Sequence, residues 1–127
     1  MTTREIGAQG EMFAAQILQE QGMKILSRNY YTPYGEIDLI VLDKGCIAFV
    51  EVKTRRTGSV TRPAEAVDRR KRERIIRSAV CYLMEYPVDL QPRFDVFEIV
   101  TKKGKIFSVQ SYRYIINAYE VTNDERF

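Results

Sequence analysis

The sequence predicts an α/β (α+β) domain, a mixed β-sheet flanked by helices in the order α-β-β-β-α-β-β. Three observations carry this expectation. Apolar residues recur at helical spacing near the N-terminus and again between Pro63 and Tyr86. Apolar and polar residues alternate on both sides of Gly45, and strand-like runs follow Pro92 and Gly104.

The first helix spans 3 to about 21, with Ile6, Phe13, Ala14, Ile17 and Leu18 as its apolar stripe and Gly22 as its stop. Lys24 to Tyr31 is the first strand, closed by the turn Thr32-Pro33-Tyr34-Gly35. Glu36–Leu42 and Ile47–Thr54 form a hairpin around the four-residue loop 43–46. Thr57–Arg62 is polar. Pro63 opens a long helix that runs to about Tyr86, with Val67, Ile75, Ala79, Tyr82 and Leu83 facing the core. Pro87 ends it. Arg93–Thr101 and Ile106–Val109 are strands joined through Lys102–Lys105; Ile115–Tyr119 reads as a short helix, and 120–127 as a frayed tail. All 127 residues fit one domain.

Composition excludes several chemistries. There is no histidine, so Ser-His and Cys-His triads and His-ligated zinc are out. Base chemistry falls to a carboxylate, a lysine, a tyrosine or a metal-activated water. Cys46 and Cys81 match no zinc or redox spacing and read as free thiols. The strongly apolar stretch Cys46–Val50 is far short of the roughly 20 residues of a membrane helix, and Met1–Glu5 lacks a secretory layout. The expectation is a cytoplasmic protein with no membrane partner.

Charge is unevenly spread. Lys53 to Arg77 holds ten bases and only three acids, +7, against −4 for the remainder. Such a surface suits phosphates, although a solvated helix laced with pairs such as Glu73–Arg77 is the plain alternative.

The middle hairpin carries the chemistry. Alternation puts Glu36, Asp38, Ile40 and Leu42 on one face of the first strand, and Ile37, Leu39 and Val41 on the other. Pairing Leu42 with Ile47 and Ile40 with Phe49 sets Asp38 opposite Glu51 and Glu36 opposite Lys53. Carboxylates so close repel unless a cation lies between them, and all-oxygen ligands favour Mg²⁺ or Mn²⁺. Asp38 and Glu51 are thus the expected metal ligands, with Lys53 serving the attacking water or the transition state; the alternative is surface ion pairs of small value. Glu11 points toward the core side of its helix. It is either a third ligand or water-orienting group, or it pairs with an arginine or stays at the stripe's edge.

Asp38, twelve residues, then Glu51-Val52-Lys53 resemble the D…(D/E)-x-K signature of the restriction-endonuclease-like nuclease superfamily. With Glu11 on a preceding helix, the layout is similar to archaeal Holliday junction resolvases. More closely, the chain resembles the YraN-like family of bacterial proteins. The matching stretches are Gly10-Glu11, Ile25–Asn29, Gly35–Ile40, Phe49–Arg55, Arg93–Val96 and Asn117–Tyr119. The superfamily's frequent proline before the first acid is Ile37 here. The resemblance implies a restriction-endonuclease-like fold, catalytic roles for Asp38, Glu51, Lys53 and Glu11, a Mg²⁺-dependent phosphodiesterase ancestry, and dimerisation.

Arg28, Arg55, Arg56, Arg69, Arg70 and Lys71 are candidate contacts to nucleic acid, DNA first; Lys71 either turns over the site or snorkels from its helix. Tyr30, Tyr31 and Tyr34 either stack on unpaired bases or pack in the strand. Asp95 reads as a sheet-end or turn contact. The leading expectation is a Mg²⁺-dependent endonuclease for structured or branched DNA; the second is a nuclease-fold module that binds nucleic acid or protein without cutting.

Overall fold

The computed structural model describes residues 1–58 and 69–121. Helix α1 (Thr3–Glu20) is followed by strands β1 (Lys24–Thr32), β2 (Gly35–Asp43) and β3 (Cys46–Arg56). Helix α2 (Arg69–Glu85) then leads to β4 (Gln91–Thr101) and β5 (Val109–Tyr119). The strands lie in sequence order in one sheet. β3 and β4 are parallel and every other pair is antiparallel, so the helix between β3 and β4 serves as a crossover. The predicted element order holds.

Each helix covers one side of the sheet. Ala14, Ala15 and Leu18 of α1 pack on Leu39, Val41, Ala48, Val50, Phe97 and Ile99. Ile75, Ile76, Ala79 and Tyr82 of α2 pack on Ile37, Ile40, Ile47, Phe49 and Phe94. Phe49 and Phe97, both fully buried, anchor the two layers; each such side chain contributes roughly 1.5–3 kcal/mol through burial. A capping box starts α1: the Glu5 amide donates to Thr2 Oγ1 at 3.1 Å, and Glu5 reaches back to Thr2.

Four expectations change. Asp43 pairs with Cys46, so the hairpin turn has two residues rather than four, and Lys44 takes the left-handed φ of +56°. Residues 106–108 form no strand, and 115–119 are the end of β5 rather than a helix. Ile37 joins the α2 layer instead of siding with Leu39 and Val41. The helix start at Pro63 and the tail beyond Val121 lie outside the described residues. Among the described residues, no helix is long and apolar enough to cross a membrane.

α1 approaches β3 through Gly10. A Cβ there would sit 2.2 Å from Thr54 Oγ1 and 3.5 Å from Ile99 Cδ1. Gly10→Ala is therefore expected to destabilise the fold by about 1–3 kcal/mol, and less in a Thr54→Ala background, where the clashing hydroxyl is gone. Thermal melts of the two single variants and the double variant check this. Equal costs of Gly10→Ala in both backgrounds would show that this contact is not the tight one.

Candidate functional site

The site opens where the sheet stops being regular. Between Arg28↔Leu39 and Tyr30↔Ile37 the ladder skips Asn29 and Asp38. Asn29 has φ +52°, a conformation that asparagine tolerates better than most residues. The β2–β3 ladder runs from Asp43↔Cys46 to Leu39↔Val50. Its extrapolation, Asp38 opposite Glu51 and Glu36 opposite Lys53, is not made. Instead the Val52 amide donates to Asp38 Oδ2 at 2.8 Å, so a side chain takes the place of the backbone acceptor and the strands part. The same irregularity turns Ile37 toward α2.

Three carboxylates converge on the opening. Glu11 of α1 and Glu36 and Asp38 of β2 each bring an oxygen within 4.8 Å of the others. Asn29 Nδ2 donates to Glu11 Oε1 at 2.7 Å and lies 3.5 Å from Glu36 Oε1, so the left-handed residue ties the helix acid to the strand. Asp38 is pushed up to about 7. Its removal from water does most of this, Glu11, Glu51 and Glu36 add to it, and the Val52 amide opposes it. Such a cluster suits a hard divalent ion. Carboxylate oxygens without a nitrogen or sulfur donor are the ligands that Mg²⁺ or Mn²⁺ would take. Among the described residues, the grouped ligand atoms are those of Glu11, Glu36 and Asp38.

Glu51, the other expected ligand, has a different setting. It is only 6% exposed, and neither carboxylate oxygen receives a well-directed hydrogen bond among the described residues. Lys71 Nζ lies against Oε1 at 2.5 Å as a charge contact, and Lys53 Nζ is 4.0 Å away. Lys71 therefore reaches from α2 to Glu51. Glu51 and Lys71 form the wall between two cavities. One, about 250 Å³, is lined also by Gly35, Glu36, Asp38 and Arg74. The other, about 510 Å³, holds Glu11, Lys53, Arg55 and Glu98.

Residues 10–99 match the model of the uncharacterised protein family UPF0102. The chain belongs to UPF0102. It is 40% identical over 117 residues to a UPF0102 protein of Caldanaerobacter subterraneus subsp. tengcongensis, covering 91% of this chain and 95% of the relative. A UPF0102 protein of Dictyoglomus thermophilum is 42% identical over 121 residues, covering 94% and 100%. One from Syntrophotalea carbinolica is 50% identical over 108 residues, covering 84% and 87%. This is the YraN-like family that the motifs resemble, and the UPF0102 match spans Glu11, Asn29, Glu36, Asp38, Glu51, Lys53 and Lys71.

The remaining basic residues of this UPF0102 chain divide. Arg55 lines the larger cavity. Arg69 pairs with Glu73 at 3.2 Å, one turn along the exposed side of α2, and Arg70 is exposed beside it. Arg28 faces a groove with Met12, Gln16 and Gln19 of α1 rather than the carboxylates. Arg56 sits at the sheet end near Thr101 and Lys102. Asn29, Arg74 and Glu98 were not among the expected site residues, and Glu36 was expected only to face Lys53. An asparagine inside a strand was the one local signal for the first of them.

Proposed function

We propose that this UPF0102 chain is a metal-dependent phosphodiesterase acting on DNA. The convergence of Glu11, Glu36 and Asp38 beside two lysines and two cavities supports this reading most strongly. The three carboxylates would hold Mg²⁺ or Mn²⁺. When bound, that ion supplies charge stabilisation to a phosphoryl group. Lys53 offers an ammonium to charge developing on the phosphate. Glu51, buried between Lys53 and Lys71, orients both ammonium groups. Arg55, Arg70 and Lys71 hold the phosphate backbone without reading sequence.

Cleavage of branched and linear DNA with Mg²⁺ or Mn²⁺ tests this. Wild type is expected to exceed Lys53→Ala by about 10²-fold or more, the usual size of a lost charge-stabilising group. Asp38→Ala is expected to reduce cutting to background. Wild type cutting no faster than either variant overturns the reading.

The close contact of Lys71 with Glu51 favours a second reading, a nuclease-fold module that grips nucleic acid without cutting it. The acid of the E-x-K element is already compensated. This reading expects DNA affinity that falls steeply with salt and survives Glu51→Gln, with no cleavage under any metal.

A further inference from the structure

The form of nucleic acid that the site takes depends on what surrounds the carboxylates. The turn between β1 and β2 bears on that. Of the three tyrosines there, Tyr30 is a packing residue: its ring meets Tyr82 edge-on at 5.1 Å and its hydroxyl donates to Glu85 at 3.1 Å. Tyr31 and Tyr34 are 73% and 46% exposed. Tyr31 pairs directly with Glu36, one of the three clustered carboxylates, so its ring stands at the lip of the site.

The turn that carries these rings is held in place. Thr32 Oγ1 accepts from the Tyr34 amide at 3.0 Å, reaches the Gly35 carbonyl at 3.0 Å, and meets the buried Ser78 hydroxyl of α2 at 2.8 Å. Beside it runs a basic rail. Lys71, Arg74 and Arg77 are exposed at intervals of three along α2. Lys71 and Arg74 line the cavity with Glu36 and Asp38, and the Arg77 guanidinium lies over the Tyr34 ring at 5.6 Å. Tyr34 lies under the rail on the α2 side, and Tyr31, next along the strand from the α2-packed Tyr30, is exposed on the opposite side beside Glu36. Exposed rings flanking a cation-lined site for phosphates are what unpaired bases and their backbone require. A continuous duplex keeps its bases stacked inside and cannot offer one to a ring on a rim.

We propose that Tyr31 and Tyr34 are a stacking platform with one ring on each side of the β1–β2 turn, and that the site takes a single-stranded DNA segment that passes round the turn with bases on these rings while Arg74 and Arg77 hold its backbone on the α2 side. This rests on the reading of the chain as a DNA-acting phosphodiesterase. The plain alternative, rings left exposed on an edge strand and its turn, assigns them no role in binding.

Anisotropy of a labelled 15-nucleotide single strand and of the matching duplex, in Ca²⁺ at fixed salt, tests it. Wild type is expected to bind the single strand more tightly than the duplex. Tyr31→Ala/Tyr34→Ala is expected to weaken the single strand by about tenfold or more and leave the duplex unchanged, with affinity restored in Tyr31→Phe/Tyr34→Phe. Thermal melts of both double variants check that they remain folded. Wild type binding both forms equally, with the double alanine variant unchanged, overturns the platform and leaves the phosphodiesterase reading intact. Wild type binding neither form overturns both.

Discussion

Asp38→Asn is expected to make the ion-free protein melt higher at pH 8 while abolishing its response to Mn²⁺. Asp38 is partly buried among Glu11, Glu36 and Glu51, and its pKa rises from the ordinary 3.8 to about 7. The folded chain therefore binds more protons than the unfolded chain between those values. For this group stability is full below about pH 3.8, declines across the window, and is lost above pH 7. Each unit is worth about 1.4 kcal/mol. Partial exposure discounts the full shift, which leaves on the order of 2 kcal/mol of strain in the apo site at pH 8. Asparagine still accepts from the Val52 amide and offers its NH₂ to a neighbouring carboxylate. The gain is expected to be about 5–8 °C for a chain of this size.

Two controls isolate the cause. Wild type is expected to lose stability, relative to Asp38→Asn, as pH rises from 5 to 8, so the difference between their melting temperatures widens along that path. Saturating Mn²⁺ is expected to reverse the order, because an ion at a hundred times its Kd adds about 2.7 kcal/mol to the protein that binds it. Asp38→Asn melting below wild type in chelator at pH 8 would mean that the acids are already compensated. A destabilised site relieved by its own ligand is a common cost of function.

The extent to which this site was legible follows from which forces set each residue. The β2–β3 register came through because a slip would send Ile40, Val41, Ala48 and Phe49 to the wrong layers, and burial is a strong penalty. Asp38 and Lys53 were legible as polar ends of apolar strands. Asn29 was not, since its left-handed φ depends on partners from α1 and β2 that only the fold brings near. Asn29 and Asp38 are the unlinked step of the ladder, and the approach of Glu36 to Glu11 beside them is not something alternation anticipates. The ion pair of Lys71 with Glu51 depends on where α2 crosses the sheet. At 115–119 the doubled isoleucine spoiled strand alternation, and the physical reason is a bulge.

That bulge sets up the other large effect. Phe94 pairs with Tyr119 and Val96 with Ile115, so residues 116–118 face Asp95 alone, with Asn117 at φ +56°. Asp95 is fully buried and acts as the missing ladder partner: its Oδ1 accepts from the Asn117 amide at 2.9 Å. Arg93 Nε donates to the same carboxylate at 3.0 and 3.1 Å, and Arg93 Nη2 at 2.9 Å. The Tyr114 hydroxyl donates to Oδ2. Burial, then the Asp95 charge, pushes that phenol far above its ordinary value, so it remains the donor. Arg93 reaches on to Asp43 at 2.9 Å, which ties β4 to the end of β2. Asp95→Ala leaves a half-buried guanidinium held by Asp43 alone, and a phenol and a left-handed amide without their shared acceptor. The expected cost is about 3–5 kcal/mol, the range for breaking a buried pair. Asp43→Ala, which leaves Arg93 on Asp95, should cost about 1 kcal/mol. Urea unfolding measures both. Asp95→Asn is expected to recover little, because its NH₂ would face the Arg93 donors. If Asp95→Ala unfolds within 1 kcal/mol of wild type, the bulge is held by the apolar packing of Tyr119 on Phe94, and the charge network is incidental.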